Sequence, residues 1–495
     1  MHCSLLTITN LNSSSANVVA CASAIAKAIN KLTTNKTENM KDFTRRDFLK
    51  TASVAGGGLV LSSSLLNAQA AASGKKLKIA MVGVGAEGRV LLQSLLKMPN
   101  LEFVAICDIW EAYNQRYARA LIKKVLKQTP KGYVDYKDLI KDHAKELDAV
   151  FIATPDFWHA PMTVDFLEAG VNVYCEKMMS DTLEGAKKMV RAARKSGKLL
   201  QIGHQRKSNP RYMYAREKLL REANICGNIM AANGQWNRAV SRDIEAPKNK
   251  KYAIPQDILN KYGYKDMNQF LNWRWCKGLG GGAISDLGAH QIDIFGWMFG
   301  ARPTRVMASG NRDYYKKADG TPAHDWDDNV MCIFEFDKTF QGKKAQAFYQ
   351  VLTTTSSGGG YFESFMGDNG TLKMSENPAL TKLFRENNAP DWKPLIDSGV
   401  IGAGEAPAAS SAKVADARET KALVGYSFPE KVPGFSTEKP IHMYHLENFV
   451  GAVRGENKLS CDSEHAFEAE AAVFKAREAI TAGPLTFSES DFVVS

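Results

Sequence analysis

The 495-residue sequence has no Cys-x-x-Cys pair, no His-x-x-x-His pair, no internal repeat and no uninterrupted apolar run of membrane-spanning length. The missing apolar run argues against a transmembrane helix, so no stable membrane insertion is expected. Without paired cysteines or histidines at ligand spacing, a zinc ribbon or zincin site has no donors, and no metal is expected. The eight cysteines are far apart. Six of them (Cys107, Cys175, Cys226, Cys276, Cys332, Cys461) fall mostly in strand-like apolar runs and read as buried thiols rather than a disulfide framework. A long basic run is also missing. The 64 Lys and Arg residues are scattered among 53 acids, so the net charge of +11 reads as a solvated surface and no nucleic-acid partner is expected.

A hydrophobic content of 44% over this length supports a substantial core in two or three domains. The N-terminal region has its own signals. "TRRDFLK" (Thr44 to Lys50) is a twin-arginine pattern, followed by a Gly/Ser-rich, mildly apolar stretch and the small residues "AQA" at Ala68 to Ala70. Residues 40–72 are therefore expected to be a twin-arginine signal, which places the mature protein in the periplasm or otherwise outside the cytoplasm. Met40 is a candidate start, which makes 1–39 an untranslated or disordered extension.

Residues 75–110 read as strand, glycine turn, helix and strand. Gly83, Gly85 and Gly88 fit G-x-G-x-x-G, with Ala86 and Glu87 opening the helix and Asp108 closing the second strand. Glycines let the main chain approach a pyrophosphate, and the helix N-terminus meets its charge. Asp108 would accept from ribose hydroxyls and repel a 2′-phosphate, which favours NAD over NADP. Further strand–helix units run to about residue 206, giving a doubly wound parallel Rossmann domain over 73–206. Beyond it, strands at 227–238, 304–315, 328–337, 344–356 and 363–375 are joined mainly by turns. They predict a C-terminal α/β domain over 207–495 with a largely antiparallel open sheet. Residues 239–272 suggest a lid and 402–435 a surface loop, and two C-terminal helices can pack back on the first domain.

"GGGAISDLGAHQIDIF" (280–295) sets Asp286, His290 and Asp293 at i, i+4 and i+7, one stripe of a helix. Three readings compete: a buried core histidine, a metal site, and a proton-handling pair. A histidine near its ordinary pKa suits a general base, with Asp286 fixing its tautomer and Asp293 capping nearby main chain. Gly280 to Gly282 are expected to bring the chain close to a ligand. Candidates for substrate contact are His204, Gln205 and Arg206 at the end of the last Rossmann strand, with Trp236, Arg238, Trp273 and Arg274. Their indoles, guanidiniums and amides suit stacking on sugar rings and binding hydroxyls, although the tryptophans also suit core packing.

These stretches, joined to "TPDFWHAPMTVDFLEAGVNVYCEKM" (154–178), resemble the glucose–fructose oxidoreductase and inositol dehydrogenase family. The resemblance implies that Thr154, Pro155 and His159 border the nicotinamide. It places the family's Glu-Lys-Pro motif on Glu176, Lys177 and Met178, and its catalytic Asp-x-x-x-His on Asp286 and His290. Methionine stands where the family has proline, so the loop after Lys177 lacks a fixed φ. Lys177 would stabilise alkoxide charge on the reacting oxygen. The resemblance also implies a homo-oligomer acting on a small carbohydrate. Free NAD is scarce outside the cytoplasm, so an exported member must keep its cofactor tightly bound. The expected activity is oxidation of a ring hydroxyl of a sugar or glycoside, at C3, to a keto sugar. One alternative is an NAD-dependent glycosidase that oxidises C3, eliminates the glycosidic bond, adds water and reduces the ketone again. Another is a non-catalytic sugar- or dinucleotide-binding protein.

Overall fold

The structure, a computed structural model, describes residues 75–240, 242–405 and 424–495. The twin-arginine stretch, and with it the expected signal, lies outside the described residues, as does most of the 402–435 loop.

The apolar run at the start of the described chain forms β1 (Leu77–Val82), and Ala86–Leu95 forms α1. They are followed by β2 (Leu101–Cys107), α2 (Arg116–Leu126), β3 (Lys131–Tyr133), α3 (Tyr136–His143), β4 (Ala149–Ile152) and α4 (Asp156–Glu168). Next come β5 (Asn172–Cys175), α5 (Leu183–Ser196) and β6 (Leu200–Ile202). Helix boundaries follow local chemistry. Thr182 caps α5 by accepting from Gly185 N–H, and Gly197 ends it in the left-handed region at φ +63°. The six strands are parallel in the order β3-β2-β1-β4-β5-β6. Nearly every residue of β1, β4 and β6 is buried, as expected for strands covered by helices on both faces.

The second sheet begins with β7 (Ile229–Asn237). A long excursion then carries α6 (Gln256–Lys261), α7 (Met267–Leu271) and α8 (Ala289–Phe299). Strands β8 (Arg305–Asn311), β9 (Asn329–Phe336) and β10 (Ala345–Leu352) follow. The 363–375 stretch folds as a hairpin of β11 (Tyr361–Gly367) and β12 (Gly370–Met374), turning at Asp368 and Asn369. Short strands β13 (Lys382–Arg385), β14 (Gly404–Glu405) and β15 (Gly425–Tyr426) extend one edge. The sheet is antiparallel except where β10 runs parallel to β7. Helix α8 lies on it so closely that a Cβ at Gly234 would sit 2.7 Å from the Phe295 ring. The fold is thus α/β, with a parallel doubly wound sheet and a second, mostly antiparallel one.

The last two helices tie the sheets together. In α9 (Ile441–Arg454), Met443, Leu446, Phe449 and Val450 join the same apolar cluster as Leu77, Ile79, Leu91 and Leu92. Helix α10 (Ser463–Ala482) packs against α5, α8 and β8, and β16 (Leu485–Thr486) then pairs with β8. The 239–279 excursion is anchored over the carboxyl ends of the parallel strands. Trp110, after β2, packs with Ile254, Leu259, Tyr262, Tyr264, Met267 and Leu279, and its indole donates to Tyr252 O at 2.6 Å. No described helix is long and apolar enough to cross a membrane.

Candidate active site

The glycine turn after β1 is shaped by three different contacts. Gly83 has φ +82°, and a Cβ there would lie 2.5 Å from Ala153 O. A Cβ at Gly88 would lie 2.2 Å from Gly83 O, so this glycine lets α1 press on the strand end. Gly85 is different: its missing Cβ would meet only Asn114 Nδ2, at 3.9 Å. Open space at Gly85, at the N-terminus of α1, fits a dinucleotide pyrophosphate. Ala86 begins the helix, and Glu87 in its first turn lies 3.4 Å from His442 Nε2 of α9.

Asp108, expected to contact a ribose, is engaged by the protein itself. Its carboxylate accepts from Val84 N–H and from Trp110 N–H, each at 2.8 Å, with Asn114 Nδ2 at 3.3 Å. It therefore braces the glycine turn, and a ribose hydroxyl would share acceptors already in use. Burial pushes its carboxyl up, against the pull of these hydrogen bonds.

The polar stripe is carried by an irregular helix. Residues Ile284–Gly288 form a π turn before α8 begins, so the stripe is not the straight row that regular spacing predicts. Lys177, on the loop after β5, donates to Asp286 O at 2.5 Å and lies 3.5 Å from Asp286 Oδ1. Arg274 Nε approaches the same Oδ1 at 3.2 Å. Burial alone would raise the Asp286 carboxyl, but Arg274 and then Lys177 hold it well below the usual carboxylate range. His290 is 7% exposed and its Nδ1 has no hydrogen-bond partner among the described residues. Burial, then the charges of Lys177 and Arg206, push its pKa well below 6.5, so it is neutral at neutral pH.

The loops around this pair are held from behind. His159 is 1% exposed, with Nδ1 2.6 Å from Met178 O and Nε2 2.7 Å from Thr154 O. It bridges the Thr154–Pro155 turn and the Lys177 loop. Thr154 Oγ1 turns to Met162 Sδ at 3.7 Å, and Pro155 precedes α4. Glu176 accepts from Tyr174 Oη at 3.0 Å, and burial followed by the Glu87 charge raises its carboxyl. The Lys177–Met178 peptide is cis.

Several expected contacts are corrected by burial. Arg206 is 1% exposed, ion-paired with Glu363 and Glu376, and so is not available to a sugar. His204 is equally sealed, with Nε2 3.1 Å from Glu470 Oε1. Both are enclosed and paired by acids that later parts of the chain bring alongside. Asp293 does not cap main chain; it pairs with Lys207 Nζ at 3.1 Å. Gly280, Gly281 and Gly282 make room for protein side chains rather than a ligand. A Cβ on them would lie 2.9 Å from Trp273, 2.5 Å from Arg477 Nη1 and 2.5 Å from Trp326.

The remaining candidates differ in exposure and in contacts. Gln205 is 6% exposed without a side-chain partner among the described residues, and Arg238 is exposed and draws Asp286 down by its charge. Trp236 stacks on Tyr361 at 4.8 Å and faces the His290 ring at 5.9 Å, while Arg274 covers the Trp273 ring at 4.5 Å. Two site residues escaped the sequence reading. Glu470 of α10 accepts from Met179 N–H at 2.7 Å and so fixes the Lys177 loop; a lone acid in a C-terminal helix carries no signal. Asp156, directly after Thr154–Pro155, was legible by position.

The fold and its glycine turn define an NAD-binding oxidoreductase architecture. Residues 77–204 match the oxidoreductase family with NAD-binding Rossmann fold, and residues 258–373 match the GFO/IDH/MocA C-terminal domain. The chain belongs to the GFO/IDH/MocA oxidoreductase family. A Glycosyl hydrolase family 109 protein of Stenotrophomonas maltophilia is 38% identical over 148 residues, 28% of this chain and 31% of that protein. An alpha-N-acetylgalactosaminidase of Shewanella oneidensis is 29% identical over 182 residues, 32% of this chain and 39% of that one. The matched stretches thus span 31% and 39% of these curated relatives. The WlbA dehydrogenase of Chromobacterium violaceum, solved with NADH and UDP-GlcNAcA, shares the fold at TM-score 0.57 and 17% identity. That match covers 84% of this chain and 97% of the other.

Proposed function

We propose that this protein oxidises a ring hydroxyl of a sugar or glycoside, at C3, passing the hydride to tightly held NAD, which a second, carbonyl-bearing substrate returns to the oxidised form between turnovers. The observation that carries this reading is the Lys177–Asp286 contact beside a neutral, unpartnered His290. Gly83, Gly85, Gly88, Asp108 and Glu176 would hold the dinucleotide, which when bound takes up or returns a hydride at the sugar carbon. His290 accepts the hydroxyl proton. Lys177 donates a hydrogen bond to that oxygen as charge develops, a contribution of roughly 100- to 1,000-fold for one such donor. Asp286 remains ionised and keeps the lysine aimed. The 239–279 excursion, bonded through Trp110 and Trp158, walls the nucleotide side and supports retention.

A second reading, transient oxidation with net glycosidic cleavage, is favoured by the names of the Stenotrophomonas and Shewanella relatives. One experiment separates the two. The purified protein is analysed by mass spectrometry for retained NAD, and the products from a glycoside panel are identified. Keto sugar without cleavage supports the oxidase reading, and free sugar of unchanged oxidation state supports the hydrolytic one. A protein that neither carries nor binds dinucleotide overturns both.

The proposal includes export through the twin-arginine route. Replacing Arg45 and Arg46 by lysine should leave the protein in the cytoplasmic fraction. It also includes self-association across the second sheet, whose outer face exposes Met230 (54%), Met331 (46%) and Ile333 (37%). Charged residues at these positions should lower the mass measured by light scattering.

A further inference from the structure

Seven acids among the described residues are buried: Asp108, Asp156, Glu176, Asp293, Asp328, Glu363 and Glu470. Six of them have a hydrogen bond or ion pair within the protein, from Val84 N–H, Tyr174 Oη, Lys207 Nζ, Tyr314 N–H, Tyr212 Oη and Met179 N–H respectively. Asp156 alone has no hydrogen bond or ion pair to any described residue, although it is only 6% exposed. Its oxygens are not among the sealed polar atoms that lack a partner, so they face reachable space. A carboxyl left unpaired at this depth carries a desolvation cost that no hydrogen bond or ion pair from the described residues offsets, and a ligand hydroxyl is the natural remaining partner.

Its position says which ligand. Asp156 is the first residue of α4, just past the carboxyl end of β4, where ligands collect in doubly wound sheets. The charged groups that act on it are Lys177, Asp286, Arg274, Glu470 and Arg477, from the β5 loop, the π turn, the segment before it and α10. Lys177 and Arg274 are already engaged by Asp286, so neither cation neutralises Asp156 directly. We propose that Asp156 is a substrate-contacting residue whose carboxyl binds the sugar hydroxyl adjacent to the one handled by Lys177 and His290. This inference rests on the sugar-oxidising reading above.

The protonation state fits the role. Burial outweighs the pull of Lys177 and Arg274 and pushes the carboxyl up to about 8, so at neutral pH it is protonated. A neutral carboxyl both donates and accepts, which matches a sugar hydroxyl that does the same. The neutral form is lost as pH rises through about 8.

The test uses the full chain with its retained NAD. The probes are p-nitrophenyl α-N-acetylgalactosaminide, p-nitrophenyl β-glucoside and methyl glucoside, with both cofactor reduction and nitrophenol release recorded. In the wild type KM should rise above pH 8. Asp156→Asn, which keeps a neutral donor and acceptor, should hold KM within about threefold at neutral pH and abolish that rise. Asp156→Ala should raise KM by roughly tenfold to a hundredfold, the loss of one buried hydrogen bond. Retained NAD and kcat should change little in either variant. Unchanged KM and pH profile in both variants overturn the proposal, as does loss of retained NAD in step with activity, which would assign the carboxyl to the cofactor. A wild-type chain that retains NAD but turns over none of the probes overturns the sugar reading and this inference together. A wild-type chain without NAD removes the cofactor premise first.

Discussion

Lys177 is tethered to Asp286 twice, by a 2.5 Å hydrogen bond to its main-chain carbonyl and by a 3.5 Å approach to its carboxylate. The carbonyl belongs to the π turn of Ile284–Gly288, so the irregular backbone itself is an acceptor for the lysine. Asp286→Asn therefore removes the charge but leaves one tether. Its turnover should fall by roughly 10- to 100-fold, whereas Lys177→Met should lose roughly 1,000-fold or more. Steady-state kinetics on any substrate found, with retained NAD as the folding control, check the order. Equal losses would show that the carbonyl contact contributes nothing.

His290 needs to be neutral to accept a proton, and burial has moved its pKa well below 6.5. The active form is the deprotonated one, lost only as pH falls through that lowered value. Turnover should stay flat as pH drops through 6.5 and decline in more acid solution. His290→Gln should reduce kcat by roughly 100- to 10,000-fold without changing the NAD content. An acid limb centred at the ordinary histidine value would contradict the burial argument.

Gly85 and Gly88 should respond oppositely to alanine. At Gly88 the new Cβ would meet Gly83 O at 2.2 Å, so the fold must shift at a cost of roughly 1–3 kcal/mol. At Gly85 the nearest protein atom is 3.9 Å away. Gly85→Ala should melt like the wild type yet copurify without NAD, while Gly88→Ala should lose both stability and cofactor. Thermal melts and cofactor extraction, run in parallel, distinguish them.

The Arg206–Glu363 pair should behave as a structural element. Arg206→Leu leaves Glu363 buried and uncompensated, and should destabilise by roughly 3–5 kcal/mol. Adding Glu363→Leu should restore part of that loss, because two buried charges leave together. Denaturant midpoints for the single and double variants measure the coupling. A stable Arg206→Leu protein with a raised KM would return the arginine to the substrate site.

Where residues act through local backbone, sequence reasoning worked. The glycine turn, the Thr182 cap of α5 and the strand runs of both sheets were legible because spacing and residue type decide them within a few positions. The 363–375 stretch shows the limit, since the turn at Asp368–Asn369 splits one expected strand into a hairpin. Lys177 and Asp286, joined in the sequence reading by motif alone, are in contact in the structure.

Contacts between distant segments were not legible. Arg206 looked like a sugar ligand because its charge was visible, while Glu363 and Glu376, over 150 positions later, were not recognisable as its partners. Glycines 280–282 looked like ligand space until Trp273, Trp326 and Arg477 filled it. Asp293 found Lys207, and Glu470 found the Lys177 loop. Residue order thus settles the periodic elements and the glycine turn, because those depend on neighbours in the chain. Which polar groups are neutralised inside and which remain open to a ligand is settled only by packing, because desolvation and ion pairing depend on what the fold brings alongside. Arg206 and Asp156, one paired and one left open, are the two outcomes of that rule.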